Sequence, residues 1–508
     1  MLTLGTALAF LFLVLVTWHL FKVRKYPPGP FPLPLAGNLI HVLVGKFQGK
    51  SLTNLMIEWK KTYGPVVTFW VGPNPNVLVL DYDLAVKTYV KEGDVYVGRQ
   101  TVPLFEEMRE GLGVIMSVGD LWQEHRRFAL HTLRDFGLGR NIMQEKILHE
   151  YHRLMDPFDA KLEANGGRVK VSPKHEFFVL MIGSIINRML VGYSFDETNM
   201  DEFLEIRKDL DRANESFSLL DFVVMQKGLQ KLPILRDRHT MLMKSNDESL
   251  NFARRQISQR RKDIENGNYH IDEVAGPKDY LDAFFMEQDK REQTQDGIGT
   301  FSDKQLAYMI IDLWQAGMET TIVTNTWGLL FLLKNPEVQD KMRQELHDVV
   351  GRDRDVELGD RQLLPYCNAV INEVHRLTSL LTLNVFRRNT RETTINGHKI
   401  PPMTDNAVIM AAIFNNEEFF KDPKVFDPER YLGKDGKAQE QKIIPFGIGK
   451  RSCLGESLAR AEIFLILLNI IKNYKLIDDG KINPEWAKGK MTAFVRFPVE
   501  YECVFERV

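Results

Sequence analysis

The eleven residues PFGIGKRSCLG, at positions 445–455, decide how this chain is interpreted. Cys453 lies in this loop, and the chain continues at once into ESLARAEIFLILLNIIKN (456–473), which is predicted to be a helix. Backbone N–H groups and the positive end of that helix favour a thiolate at the cysteine. The glycines allow a tight turn and a close approach to a flat partner, and Arg451 supplies a cation that suits a carboxylate.

A thiolate, a cation and a backbone with few side chains together suit a haem with its propionates. The alternative is a buried structural cysteine beside a glycine-rich turn. Here the spacing F-x-x-G-x-R-x-C-x-G is met in full by Phe446, Gly449, Arg451, Cys453 and Gly455. With this motif the chain resembles the cytochrome P450 superfamily, and the overall pattern is most similar to animal microsomal, family-2-like members.

The resemblance implies a cytochrome P450 fold, mainly α with a smaller β-rich part. It also implies a haem cofactor (heme b) with Cys453 as the metal ligand, and Phe446, Arg451 and Gly455 beside the cofactor. The chain is then expected to be a monooxygenase, in which the thiolate pushes electron density onto iron to favour cleavage of the O–O bond.

A second motif, AGMETT at 316–321, lies inside a long apolar segment predicted to be helical from 302 to about 333. An acid and two hydroxyls are costly in such a helix if they are unsatisfied, although Thr can bond a preceding carbonyl. The segment resembles the family's oxygen-binding motif, in which the helix opens locally. By that resemblance Ala316 contacts the cofactor, and Glu319 and Thr320 are the acid–alcohol pair that helps to deliver protons.

Glu373 and Arg376 lie three residues apart in a predicted helix at 363–379, so they share one helical face. Alone, such a pair is usually a solvated surface ion pair. FDPERY at 426–431 adds weight, because in the family an arginine of that motif completes a buried network. The resemblance implies that Arg430 is this third member and that the network has a structural role.

Several further residues are expected on the haem propionates by resemblance. Trp122 and Arg126 share one face of a predicted helix, and both carry N–H donors; the alternative is a helix anchored by Trp with a surface Arg. Arg99 and Arg387 stand where related proteins also contact propionates, although the adjacent Arg388 could serve instead of Arg387.

Composition excludes other classes of protein. The chain has 508 residues and a net charge of −2, which gives no general attraction to nucleic acid, and none is expected as a partner. Its three cysteines are too few and too scattered for a disulfide framework, and they lack the C-x-x-C pairing of a zinc site. The thiols indicate a reducing compartment.

The N-terminus predicts membrane attachment. Residues 1–21 are almost entirely apolar and are followed by basic residues, which predicts a single-pass transmembrane anchor with the remaining chain in the cytosol. A cleaved signal peptide is the alternative. Residues 22–38 form a basic flank and a proline-rich hinge, and 39–508 a haem-thiolate catalytic domain. The expected location is the endoplasmic reticulum membrane, with membrane lipid as a partner.

The sequence predicts that a separate protein supplies the electrons. No G-x-G-x-x-G fingerprint opens a βαβ unit and no flavin domain is fused, so electrons must come from another protein. By resemblance the donor is NADPH-cytochrome reductase, with cytochrome b5 as an accessory. Five basic residues could form a patch for an acidic reductase surface, or could be ordinary solvated charges: Arg127, Arg134, Arg140, Lys442 and Lys450.

The substrate is expected to be small and apolar, because the candidate pocket segments are rich in Phe, Leu, Met and Val. These segments are 102–117, 309–316, 381–386 and 491–494. The apolar stretch 217–235 corresponds to a lid that can dip into the membrane in the family.

The leading hypothesis is insertion of one oxygen atom of O2 into a fatty acid, lipid or xenobiotic. A haem isomerase or dehydratase acting on a peroxide, and a single-pass protein that only binds ligands, are the alternatives.

The sequence also makes four local predictions. Residues 66–71 and 76–80 are expected to pair as strands, and Asp83 to cap a helix that ends near Gly93. The polar segment 262–300 is predicted to be a surface loop region, and strands are expected again around 491–504.

Overall fold

A computed structural model describes residues 4–100, 102–137, 142–215, 221, 228, 232–272, 274–294, 297–492 and 495–508. The chain forms two compact units. The first comprises 1–100, 381–425 and 438–453, and the second 101–380, 426–437 and 454–508. The helices predominate and the strands are short, so the predicted mainly α fold with a smaller β-rich part is confirmed.

Numbered in chain order, the described α-helices are α1 (Leu4–Val23), α2 (Leu39–Phe47), α3 (Leu52–Tyr63), α4 (Tyr82–Val86), α5 (Pro103–Arg109), α6 (Gly119–Gly137), α7 (Ile142–Ala164), α8 (Val179–Val191), α9 (Met200–Glu215), α10 (Pro233–Glu265), α11 (Tyr280–Glu292), α12 (Asp303–Lys334), α13 (Pro336–Val349), α14 (Pro365–Thr378), α15 (Met410–Phe414), α16 (Gly436–Glu440) and α17 (Glu456–Asn473). The strands are β1 (Val66–Val71), β2 (Asn74–Val79), β3 (Gly98–Arg99), β4 (Arg168–Val171), β5 (Arg387–Arg388), β6 (Thr393–Ile395), β7 (His398–Ile400), β8 (Asp405–Val408), β9 (Tyr474–Ile477), β10 (Lys490–Met491), β11 (Arg496–Phe497) and β12 (Cys503–Arg507).

The first unit is built on a five-stranded sheet with the order β1-β2-β8-β5-β3. β1 and β2 pair antiparallel, as the sequence predicted, and β8 then joins β2 in parallel. β5 pairs antiparallel with both β8 and β3, and this register places Arg99 directly opposite Arg387. The sheet therefore brings together two arginines that lie far apart in the sequence.

The N-terminal helix forms, and its C-terminal end packs against β1 of the same unit. His19 is buried, and its Nε2 lies 2.9 Å from the Pro32 carbonyl oxygen. The ammonium of Lys22 lies 5.5 Å from the centre of the Trp70 ring. Within the described ranges, no helix is both long enough and apolar enough to cross a membrane. The prediction of a transmembrane anchor is therefore not confirmed.

The proline-rich segment is bonded to the sheet rather than standing apart from it as a spacer. Thr68 of β1 donates its N–H to the Pro28 carbonyl at 3.1 Å and its hydroxyl to the Pro27 carbonyl at 2.7 Å. Asn38 accepts from the Trp70 N–H through Oδ1 at 2.7 Å. Proline lacks an N–H but keeps its carbonyl, so the prolines of this segment can accept backbone hydrogen bonds but cannot donate them.

The second unit is organised around α12, which is buried along most of its length. The Ser302 side chain caps its first turn by accepting from Gln305 N–H at 3.2 Å. α8, α10, α14 and α17 all pack against it. A helix covered on several sides needs apolar residues around its whole circumference, which explains the long apolar run in the sequence.

Two local predictions need correction. The loop predicted at 262–300 holds only in part, because α10 extends to Glu265 and α11 occupies Tyr280–Glu292, capped by Asp279 and burying Phe284 completely. Many of the polar residues in this segment lie on the solvent-facing side of α11, while apolar residues on its other side are buried. Asp81 rather than Asp83 caps α4, accepting from Leu84 N–H at 3.0 Å.

Candidate functional site

The cysteine loop is a tight turn closed by backbone hydrogen bonds. The Cys453 N–H donates to the Phe446 carbonyl at 2.8 Å. Gly449 has φ +74°, and a Cβ there would collide with the backbone carbonyl of Tyr89. An L-residue would therefore be both strained and obstructed at this position. The predicted requirement for glycine thus has a specific cause at Gly449.

The three thiols have different environments. Cys453 is exposed, whereas Cys367 and Cys503 are buried. Burial raises the pKa of the Cys367 and Cys503 thiols well above their usual range, because a thiolate is poorly solvated in an apolar interior. Cys367 and Cys503 are therefore poorly suited to bind iron as thiolates. The donor set of this chain fits a haem-thiolate site at Cys453.

The side chains of Arg387 and Arg388 have different surroundings. Arg387 is buried, and its Nη2 donates to the Ile448 carbonyl of the cysteine loop at 2.5 Å. Its guanidinium also lies 4.7 Å from the centre of the Tyr89 ring. Arg388 pairs with Asp405 at 2.7 Å. Arg387 therefore contacts the cysteine loop.

Arg99 and Arg451 lie in the same part of the first unit. Arg451 is buried and donates through Nε to the Val97 carbonyl at 2.8 Å. Arg99 faces Arg387 across the β3–β5 pair and donates to the Val385 carbonyl at 3.1 Å. Three cations predicted to hold propionates are thus grouped around one strand pair and the cysteine loop.

Trp122 and Arg126 belong to the second unit, on successive turns of α6. Trp122 is buried and Arg126 is half-buried. Between them lies His125, which the sequence analysis overlooked; its ring packs 4.5 Å from that of Phe301. Burial lowers the pKa of His125 to about 4, so the ring is neutral at physiological pH. His125 therefore anchors this helix as an uncharged core residue.

The oxygen-motif segment is continuous α-helix from Ala316 to Thr321, so the local opening expected by resemblance is not present. The Thr320 hydroxyl donates to the Ala316 carbonyl, one turn earlier, at 2.7 Å. Ala316 is exposed and Thr320 is half-buried. The hydroxyl therefore bonds to its own helix while the backbone ladder stays intact.

Glu319 is paired with an arginine that the sequence analysis missed. Arg207 of α9 lies with Nη2 2.5 Å from Glu319 Oε2, and it also contacts Asp211 at 2.8 Å. Burial raises the pKa of Glu319, and the charge of Arg207 opposes that rise. The i,i+4 spacing of Arg207 and Asp211 was the one signal in the sequence, and such pairs are too common to single out.

Thr321 contacts a second buried acid. Its hydroxyl donates to Glu462 Oε2 of α17 at 3.3 Å, and both side chains are about 1% exposed. Burial raises the pKa of Glu462 to about 8. Asn325 Nδ2 donates to the Thr321 carbonyl at 3.0 Å. Glu462 is therefore mostly neutral near pH 7, deep between two packed helices.

The structure brings Glu373, Arg376 and Arg430 together. Arg376 makes two hydrogen bonds to the Glu373 carboxylate, at 2.8 and 2.7 Å, and Arg430 adds one at 3.2 Å. The Tyr431 hydroxyl donates to the same carboxylate at 2.7 Å, and so does the Asp427 N–H at 3.0 Å. Tyr431 and the Asp427 backbone are members that the sequence analysis did not identify.

Two of the predicted pocket segments meet in the second unit, at a buried carboxylate. Asp312 of α12 accepts from Val114 N–H at 2.8 Å and from Ile115 N–H at 2.9 Å, and it pairs with Arg109 at 3.0 Å. It therefore clamps 102–117 to α12. Residues 493–494 and most of the predicted lid at 217–235 lie outside the described residues.

The predicted basic patch is only partly described. Arg127 and Arg134 are exposed on α6, and Arg140 lies outside the described residues. In the other unit, Lys450 pairs with Asp94, and Lys442 lies 4.8 Å from the centre of the Phe419 ring. Both lysines of the patch thus already contact other side chains, and the patch stays a prediction.

Comparison with known proteins identifies the class. A family model described as Cytochrome P450 matches residues 27–505. Probable cytochrome P450 cyp-35D1 of Caenorhabditis elegans is 35% identical over 92% of this chain and 92% of its own length. Cytochrome P450 2C8 of Homo sapiens is 33% identical over 95% of this chain and 94% of its own. Cytochrome P450 2H1 of Gallus gallus is 32% identical over 97% and 96%.

The chain therefore belongs to the cytochrome P450 family. Its similarity to relatives of the 2C and 2H groups confirms the family-2-like resemblance. Members of the family are monooxygenases that use haem, with iron bound by a cysteine thiolate. The predicted class of enzyme and the predicted cofactor are confirmed.

Proposed function

We propose that this protein is a membrane-associated monooxygenase with Cys453 as its iron ligand. It inserts one oxygen atom of O2 into a small apolar substrate such as a fatty acid, another lipid or a xenobiotic. Electrons come from NADPH through a separate reductase. The observation that carries the proposal is the exposure of Cys453 in a glycine-dependent turn, while the other two thiols are buried.

The cations around the cysteine loop support a site for the haem propionates. Arg99, Arg387 and Arg451 lie in one region, and buried guanidinium groups are well suited to carboxylates. In the second unit, Trp122 and Arg126 would add N–H donors from α6. When bound, haem would supply dioxygen activation, and the remaining roles belong to side chains of this chain.

Proton delivery is proposed for Glu319 and Thr320. Burial favours a protonated Glu319, and Arg207 makes its proton easier to release, so the carboxyl can both hold and release a proton. The Thr320 hydroxyl can pass a proton on because it is both donor and acceptor. Its bond to the Ala316 carbonyl holds the hydroxyl in one orientation until an acceptor competes for it.

Membrane and partner contacts complete the proposal. The end of α1 that carries Trp18, Phe21 and Lys22 combines exposed aromatic rings with a cation, a combination suited to a membrane–water interface. We expect the endoplasmic reticulum membrane, with the catalytic part facing the cytosol. The donor would be NADPH-cytochrome reductase, assisted by cytochrome b5, and exposed Arg127 and Arg134 suit an acidic docking face.

The test compares the parent protein with Cys453→Ala and with Cys503→Ala as a matched control. We expect the reduced, CO-bound parent and the Cys503→Ala variant to give a red-shifted Soret band, and Cys453→Ala to lose it. Lauric acid and 7-ethoxycoumarin, incubated with the parent, reductase and NADPH, should yield oxygenated products. A Soret band that survives Cys453→Ala contradicts the ligand assignment. Turnover of a lipid hydroperoxide without reductase or NADPH would instead favour the peroxide isomerase.

A further inference from the structure

Three consecutive residues of α12 are fixed in three different ways. Glu319 is tied to α9 through Arg207, with 2.5 Å between Oε2 and Nη2. The Thr320 hydroxyl donates one turn back along its own helix, to the Ala316 carbonyl. Thr321 is tied to α17 through Glu462. The turn that carries the proposed proton-delivering pair is thus held on both flanks, with Thr320 between the two attachments.

Glu462 is an unusual residue for the interior of two packed helices. It is about 1% exposed, and in the part of the chain that the structure describes its Oε1 has no hydrogen-bond partner. An ionised carboxylate in such a place would lose its hydration and gain a single hydroxyl donor, which is unfavourable. A neutral carboxylic acid fits better, since it can accept from Thr321 and still carries an O–H of its own.

The position of Glu462 along the chain adds a second connection. α17 begins at Glu456, directly after the cysteine loop, and Glu462 lies on its second turn. A bond from Glu462 to Thr321 therefore joins the helix that continues from the cysteine loop to the helix that carries Glu319 and Thr320. α12 is also attached elsewhere, through Asp312 to the backbone of Val114 and Ile115. The bond from Glu462 adds a directional attachment at the turn that carries Glu319 and Thr320.

We propose that Glu462, in its neutral form, is a positioning residue for the proton-delivering pair. Its bond to the Thr321 hydroxyl holds this turn of α12 against α17, so that Thr320 presents its hydroxyl in one direction. The proposal rests on the proposed function of Glu319 and Thr320. It assigns no proton transfer to Glu462, whose role is to accept the hydrogen bond from the Thr321 hydroxyl.

Four variants test the proposal. Glu462→Gln keeps a neutral hydrogen-bonding group of similar size, and Glu462→Leu removes it while filling the space. Thr321→Val removes the partner hydroxyl. Thr326→Val is the control, since the buried Thr326 hydroxyl on the same helix donates to the Ile322 carbonyl of that helix.

Two readouts are measured in the haem-loaded protein with reductase, NADPH and lauric acid as probe. The first is hydrogen peroxide released per NADPH oxidised; the second is KM for lauric acid. Loss of one hydrogen bond corresponds to about a twofold to tenfold change. We expect Glu462→Leu and Thr321→Val to raise the peroxide fraction by about that factor, with KM unchanged. Glu462→Gln and Thr326→Val should resemble the parent.

A third readout does not depend on turnover. Amide hydrogen exchange of residues 319–325, followed by mass spectrometry, should be faster by a similar factor in Glu462→Leu and unchanged in Glu462→Gln. If Glu462→Leu fails to fold, Thr321→Val makes the same test.

The outcomes are separable. A parent protein without the Soret band refutes the proposed function, and hydrogen exchange still tests whether Glu462 holds α12. A coupled parent whose Glu462→Leu and Thr321→Val variants are equally coupled and exchange equally slowly refutes the positioning role. Equal uncoupling by Glu462→Gln and Glu462→Leu would also refute it, because it would mean that the ionisable proton, and not the hydrogen bond, is required.

Discussion

The buried network around Glu373 permits a ranked prediction of stability. The side chains of Glu373 and Arg376 are fully buried (0% exposed), and Arg376 binds the carboxylate through two N–H groups. Replacing Arg376 with Leu leaves a buried carboxylate without its main counter-charge. Breaking one side of a buried pair costs about 3–5 kcal/mol. The remaining donors from Arg430, Tyr431 and the Asp427 backbone place the expected loss at the lower end of that range.

Tyr431→Phe is the matched comparison, because it removes one hydroxyl donor and leaves the charges in place. A hydrogen bond to a charged group contributes about 1.5–3 kcal/mol, so Tyr431→Phe should cost less than Arg376→Leu. Arg376→Lys should fall between them, since it keeps the charge but loses the two-pronged geometry.

The assay is guanidinium unfolding followed by tryptophan fluorescence, with midpoints compared at equal slope. If Arg376→Leu unfolds at the same midpoint as Tyr431→Phe, the carboxylate is not held as an ion, and the reasoning fails. A change in slope would mean that the variants alter the unfolded state or populate an intermediate.

Three further predictions concern the site. Thr320→Ala should retain the haem spectrum, because the described bond of Thr320 is to its own helix, but release more hydrogen peroxide per NADPH; full coupling would refute proton delivery through this hydroxyl. Gly449→Ala should lower the haem-loaded fraction severalfold, because its Cβ meets the Tyr89 carbonyl, whereas Gly351→Ala, with similar φ but open space, should not. The pKa of Glu462 is raised by burial from 4.5 to about 8. The folded state therefore binds this proton more tightly, and the free energy of unfolding should fall as pH rises between those values; Glu462→Gln should flatten that decline, and parallel curves would contradict it.

Much of the site could be predicted because its residues lie in short sequence motifs. The cysteine loop, the pair Glu373 and Arg376, and the motif at 316–321 each carry fixed residue types at fixed spacing. Helices with long apolar faces, such as α12 and α17, were also placed within a residue or two of their ends. A helix or a motif can be predicted when the residues that determine it all lie within one short segment.

What could not be predicted depends on pairing between distant segments. Arg207 and Glu462 contact the motif helix from α9 and α17, and neither has a distinctive local pattern. The alignment of Arg99 with Arg387 arises only from the register of β3 and β5. α11 was missed because its charged face dominates the composition while its buried face includes Phe284.

The proline-rich segment has a consequence for handling the protein. β1 is the outer strand of its sheet, and an outer strand with open N–H and C=O groups can pair with another molecule. Here the carbonyls of Pro27 and Pro28 and the side chain of Asn38 occupy that edge. Shortening the chain just after α1 would keep this cover, whereas shortening it beyond Asn38 would expose the edge to self-association. The boundary chosen for recombinant expression thus decides between a protected sheet and one open to aggregation.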